Sequence, residues 1–257
     1  MSADRPEHSS QAKKPQIAVV VEGEIGAGKT TLIELVRKAL ETKGVKPFVV
    51  PEPVDEWMRV GILQAFYADN PPELQRLISY VFQTYTFLTR ILKTRQAVSE
   101  HPDADIFLLE RSVLTDRYVF MELQREQIGP NLMEMYTKWW KMWALLMPVR
   151  PRKAIYLKPS IENCQLRVAA RARRGEIANT AAVCRGVSAD YQARLRRAHE
   201  AFLQGLHTEE FPEMPPPPFA PEDVVVVDGT LADHNFSTPG LAADQTVAHV
   251  VEKILGV

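Results

Sequence analysis

The stretch Val19–Thr31, VVVEGEIGAGKTT, limits this chain more than any other. A buried-type apolar run from Ile17 to Val21 ends at Glu22-Gly23, and Gly23–Thr30 then spells G-x-x-x-x-G-K-T. Such a turn lets consecutive backbone N–H groups converge on phosphate oxygens, and the helix that follows adds the positive end of its dipole. In this pattern Lys29 reaches the β- and γ-phosphates and the Thr30 hydroxyl faces Mg²⁺. The motif requires a strand before it and a helix after it, and both patterns are present. It predicts a bound nucleoside triphosphate. It does not separate a GTPase, a motor or a small-molecule kinase, although an N-K-x-D guanine motif is missing from the rest of the chain.

The remainder alternates short apolar runs with helical patterns. Strands are predicted at 17–23, 47–53, 105–112, 153–158 and 224–229. Helices are predicted at 29–42, 72–99, near 113–127, 131–147, 160–174, 188–206 and 241–256. In the long helix Leu74, Leu77, Ile78, Val81, Phe82, Tyr85, Leu88 and Leu92 form one stripe. Strands separated by helices imply an α/β fold with a five-stranded parallel sheet covered on both faces. Ligands in such sheets bind beyond the carboxyl ends of the strands. Chemistry is therefore expected at 23–30, at Glu52, at Glu110–Ser112 and past Asp228. Residues 1–15 read as a disordered tail, 16–257 as a single domain, and PEMPPPPFAPED (212–223) as an exposed connector.

Bulk properties exclude some partners. The 257 residues carry a net charge of −1, so no general affinity for nucleic acid or anionic membranes is expected. No run of about 18 apolar residues is present to cross a membrane. Cys164 and Cys184 have no metal-ligand spacing and suit a reducing compartment. The N-terminal stretch lacks an apolar leader pattern and carries Asp4 and Glu7, which points to a cytoplasmic protein, with a nuclear location left open.

The acceptor side lies in PEPVDEW and LLERSVLTDRYVF. Glu52 and Glu110-Arg111 fall at strand tips beside the phosphate loop. A carboxylate there accepts a proton from an attacking hydroxyl, an Arg orients the pair, and a second carboxylate faces Mg²⁺. EPVDEW, FQTYTFLTR, ERSVLTDRYVF and RARRGE, in this order after the phosphate loop, resemble the deoxynucleoside kinases, the family of deoxycytidine, deoxyguanosine and multisubstrate insect kinases. The resemblance runs from about residue 17 to residue 204, with a looser C-terminal part.

It implies a P-loop kinase fold and transfer of the γ-phosphoryl of ATP, or another nucleoside triphosphate, to the 5′-hydroxyl of a deoxynucleoside. The run Gly23, Glu24, Ile25, Gly26, Ala27, Gly28, Lys29, Thr30 and Thr31 would bind ATP, with Arg167 near the donor base. Glu52 matches the general base, Arg111 its neighbour, and Thr30 and Glu110 the Mg²⁺ side. Gln83 matches the base-edge contact; Trp57, Phe82 and Phe120 match the aromatic positions around the base. Tyr67 and Glu176 match contacts to the sugar 3′-hydroxyl, although the spacing from Tyr67 to Gln83 is longer than in deoxycytidine kinase. Arg171 and Arg173 match an Arg-rich lid spanning about 171–188, which departs from the family at Arg174-Gly175 and in the extra stretch 177–184. Arg90 and Asp116 match a pair at the base, which favours deoxycytidine or purine deoxynucleosides over thymidine. Family members are usually homodimers, and MYTKWWKMWALLM (135–147) is a candidate face. A nucleotide kinase that uses Arg117 for an acceptor phosphate, and a non-catalytic nucleotide-binding subunit, are the alternatives.

Overall fold

The computed structural model describes residues 16–171, 187–211, 217–233, 236 and 240–256. Strand β1 (Ile17–Gly23) is buried along almost its whole length and runs straight into the phosphate loop. Helix α1 (Lys29–Thr42) starts at the loop's lysine, its buried side formed by Leu32, Ile33, Val36 and Leu40 at helical spacing. Strand β2 (Pro47–Val50) is followed by two short helices, α2 (Val54–Arg59) and α3 (Ile62–Tyr67), separated by Gly61 in the left-handed region. The expected strand 47–53 thus stops three residues early, because Pro51 and Pro53 remove ladder donors and open the turn into α2. Neither α2 nor α3 was expected.

Helix α4 (Pro72–Glu100) leads to β3 (Ile106–Glu110). The helix expected near 113–127 is broken. It comprises α5 (Val113–Thr115), capped by the Ser112 hydroxyl, a π-helical turn over Asp116–Phe120, α6 (Met121–Leu123) and α7 (Arg125–Ile128). Helix α8 (Pro130–Ala144) precedes β4 (Pro151–Lys158), and α9 (Ile161–Arg171) and α10 (Ala189–Gln204) flank the segment 172–186, outside the described residues. A single 3-10 turn over Pro221–Asp223, β5 (Val224–Asp228), α11 (Gly229–Asp233) and α12 (Leu241–Leu255) complete the chain.

The sheet is parallel throughout, with five strands in the order β2-β3-β1-β4-β5. One face packs against α4 and α10 through Phe107, Leu109, Tyr156 and Phe202; the other packs against α1 and α12 through Leu108, Ile155, Leu32 and Val250. The central β1 lies between β3 and β4, in a register that pairs Val21 with Glu110 and Gly23 with Leu157. That register carries the phosphate loop and the tips of β2 and β3 to one edge of the sheet. No described helix is long and apolar enough to cross a membrane.

Candidate active site

The loop's backbone admits little besides glycine at two points. A Cβ on Gly23 would sit 2.3 Å from the Leu157 carbonyl oxygen, and one on Gly26 would sit 2.5 Å from that of Cys164. Both have positive φ, 145° and 84°. The loop is thereby pressed onto β4 and α9. Lys29 donates to the carbonyls of Gly23 at 3.3 Å and Glu24 at 3.0 Å, so its ammonium is already folded over the loop. Burial, and then the positive charge of Arg111, lower Lys29 to about 8, against the opposing pull of Glu110 and Glu52. Thr30 Oγ1 donates to the Glu110 carboxylate at 3.0–3.1 Å, which brings together the two groups expected on the metal side.

Glu52, at the turn after β2, meets two guanidinium groups. Arg90 Nη2 lies 3.2 Å and Arg111 Nη1 3.4 Å from its Oε1. Burial pushes the Glu52 carboxyl up, but Arg111, Arg90 and Lys29 together outweigh burial and hold it below the usual carboxylate range. Glu52 is therefore ionised and poised to accept a proton rather than to give one. Arg111 pays for its position with a left-handed backbone, φ 62°, uncommon for a residue with a Cβ. The geometry lets its guanidinium reach the Gly23 carbonyl at 2.7 Å and lie 4.7 Å from the centre of the Phe120 ring.

Arg90 is the more surprising residue. It forks onto Asp116 through Nε at 2.9 Å and Nη2 at 3.1 Å, donates to the Glu110 carbonyl at 3.0 Å, and touches Glu52. The expected Arg90–Asp116 pair is present, but the same guanidinium also holds the carboxylate assigned as the base. Sequence spacing gave no hint of this link, because Glu52 and Arg90 lie on separate elements. Asp116 starts the π-helical turn, a distortion that often accompanies functional sites.

Two clefts open at this edge. The first is lined by Glu52, Trp57, Tyr67, Phe82, Gln83, Arg90, Arg111, Asp116 and Phe120. Gln83 is 2% exposed and its side chain has no hydrogen-bond partner among the described residues, so its amide is available to a polar ligand edge. Trp57 meets Phe82 edge-on with centroids 5.8 Å apart, and its Nε1 donates to Thr89. Phe66 and Tyr191 also line this cleft and were not expected. Tyr191 reaches it from the first turn of α10. Burial pushes its phenol up to about 12, so it remains a donor. The second cleft is lined by Gly28, Thr30, Thr31, Arg167, Asp233 and Phe236, the last two from the region past β5. Arg167 donates to the Ala27 and Asp233 carbonyls, tying the phosphate loop to the segment after β5. Gly26, Lys29, Glu110 and Arg171 line both clefts, which therefore meet at the lysine.

The remaining expectations divide. Glu24 contributes its backbone to the loop, whereas its buried side chain turns away to Arg196 and Tyr156. Arg117 pairs with Glu122 and lies against Tyr118, and it lines neither cleft. Arg173, Glu176 and the stretch 177–184 lie outside the described residues. Cys164 is buried, and burial pushes its thiol up to about 12, so it is unreactive.

Comparison with known proteins points the same way. A family model described as deoxynucleoside kinase matches residues 19–253, which carries the likeness beyond 204 and into the last helix. A probable deoxycytidine kinase of Fowlpox virus (strain NVSL) is 31% identical over 195 residues, 75% of this chain and 74% of the viral protein. Deoxycytidine kinase 2 of Gallus gallus is 29% identical over 213 residues, covering 72% and 73% of the two chains. The mitochondrial thymidine kinase 2 of Homo sapiens is 29% identical over 204 residues, covering 77% and 68%.

Proposed function

This chain belongs to the deoxynucleoside kinase family, and from that premise we propose that it transfers the γ-phosphoryl of ATP to the 5′-hydroxyl of a deoxynucleoside whose base carries an exocyclic amine. The observation that carries this reading is the meeting of the two clefts at Gly26, Lys29, Glu110 and Arg171. The triphosphate occupies the loop side, with Lys29 on the terminal phosphates. The deoxynucleoside occupies the aromatic side, its hydroxyl toward Glu52. Arg111 and Arg90 keep Glu52 charged and aimed. Because these charges make Glu52 a weak base, it orients the hydroxyl early and takes the proton late, as suits a loose phosphoryl-transfer transition state. Arg171, at the junction, faces charge that builds on the transferring group, and Arg173 is assigned the same role.

A hard divalent cation fits the Thr30 hydroxyl and the Glu110 carboxylate, since Mg²⁺ takes oxygen ligands and shares phosphate oxygens. Mg²⁺ would be held there and would neutralise phosphate charge. Tyr67 and Glu176 are assigned to the sugar. The exposed apolar residues of α4 and α8 support a homodimer.

The base preference is supported by Gln83 beside the Arg90–Asp116 pair. An amide and a carboxylate together recognise ring acceptors and an amine, and the guanidinium crowds a 5-methyl group. Relatives named deoxycytidine kinase favour this reading. The nucleotide-kinase alternative loses its support with Arg117 paired to Glu122. The test is a double variant, Arg90→Met with Asp116→Ala, assayed on thymidine and deoxycytidine. The ratio of thymidine to deoxycytidine kcat/KM should rise by at least about tenfold, the scale of one lost polar discrimination. An unchanged ratio removes the assignment of base choice to this pair.

A further inference from the structure

One buried glutamine outside the expected site holds the phosphate loop by two bonds. Gln192, on the first full turn of α10, is completely buried. Its Oε1 accepts the Ile25 N–H at 3.2 Å, and its Nε2 donates to the Ile25 carbonyl at 2.5 Å. The N–H belongs to the peptide joining Glu24 to Ile25 and the carbonyl to the peptide joining Ile25 to Gly26. One side-chain amide therefore fixes two consecutive peptide planes. The first is the same peptide whose carbonyl, on Glu24, receives the Lys29 ammonium. One turn further along the same helix face, Arg196 Nε binds the Glu24 carboxylate at 2.7 Å. The neighbouring Tyr191 lines the acceptor cleft, as does Ile25 itself.

We propose that Gln192 is a positioning residue that sets the Lys29 ammonium and the phosphate loop in register with the acceptor cleft. It lines neither cleft. A helix that reaches the acceptor through Tyr191 thus grips the donor loop one residue later, and the relative placement of the two substrates depends on that grip. Alignment of reacting groups acts on turnover more than on substrate affinity. A buried amide with both ends bonded to backbone also has a stringent chemical requirement: one acceptor and one donor at the same place.

The inference rests on the kinase reading, and its test separates the two. If the parent transfers no phosphoryl group, that reading fails; if the parent is active and the variants match it, this inference fails. Gln192→Met keeps the volume and removes both bonds. Its kcat, per folded molecule, should fall about 10- to 100-fold, with the acceptor KM changed much less. Gln192→Glu supplies the acceptor at all pH values but the donor only when protonated. Its kcat relative to the parent should therefore climb as pH falls from about 8 to about 6, while the Gln192→Met ratio stays flat. A purely structural role lowers the folded fraction and leaves both the kcat–KM split and the relative pH profile unmoved. A parent-like kcat for Gln192→Met, or a flat ratio for Gln192→Glu, overturns the proposal. If Gln192→Met does not fold, the Gln192→Glu profile decides alone.

Discussion

Lys29 shows how much one residue's surroundings matter. Burial, and then the charge of Arg111, lower its pKa from the ordinary 10.5 to about 8. Triphosphate placed against it favours the charged form and raises that value again. The bound state therefore holds more protons than the free state above about pH 8, and ATP affinity must weaken there, by up to about tenfold per pH unit. Titration calorimetry between about pH 7 and about pH 9.5 should show this loss with proton uptake on binding; constant affinity would contradict the burial of a charged Lys29. Lys29, Glu52 and Arg111 were legible in the sequence because each follows a strand in a motif. The double engagement of Arg90 was not, since its partners Glu52 and Asp116 approach it only after folding. Gln192 was invisible for a related reason. A lone glutamine in a polar helix carries no periodic signal, and its burial follows from the docking of α10 beneath the loop.

Helix α4 separates pattern from placement. Its apolar spacing predicts a helix and a helix forms, yet part of the stripe points outward: Leu74, Leu77, Val81 and Leu92 are each about half exposed. The inward face carries Phe82, Phe87, Ile91 and Ala97 together with the polar Gln75, Ser79, Gln83, Thr86, Arg90 and Thr94, all buried. An amphipathic helix normally buries its apolar stripe, so the four exposed apolar residues call for a second surface over the outside. Helix α8 presents Met135, Trp139 and Met142 to the exterior while Tyr136 and Trp140 pack inward. Exposed apolar side chains on two helices that pack against each other are of the kind that marks protein association. Light scattering of the purified chain should report the mass of two chains, and Leu77→Lys with Val81→Lys should return one. A monomeric parent would leave these side chains to another role. Elsewhere, hydrophobic runs located each strand and the major helices among the described residues. The short helices α2 and α3 escaped because prolines and Gly61 interrupt any period. The π-helical turn at Asp116 escaped because no local sequence code specifies it.

At the scale of the molecule, the alternation of strands and helices implied a parallel sheet, but the order β2-β3-β1-β4-β5 required the structure. That order is what turns scattered motifs into a site. It sets β1 between β3 and β4, so the loop after β1, the tip of β3 and the start of α9 converge on one cavity edge. All four positions expected beyond strand ends line the two clefts, including Asp233 and Phe236 after β5. The central claim is that a phosphoryl group crosses from the loop side to a sugar hydroxyl on the aromatic side. It is tested most directly by incubating the chain with γ-labelled ATP and each of the four deoxynucleosides and their 5′-monophosphates, then locating the label. Label should appear in the 5′-monophosphates of deoxycytidine or the purine deoxynucleosides, least with thymidine. Glu52→Ala should abolish nearly all of it, a loss of at least about 100-fold, while still binding ATP. Label found only in diphosphates made from the monophosphates, or transfer undiminished in Glu52→Ala, would contradict the account.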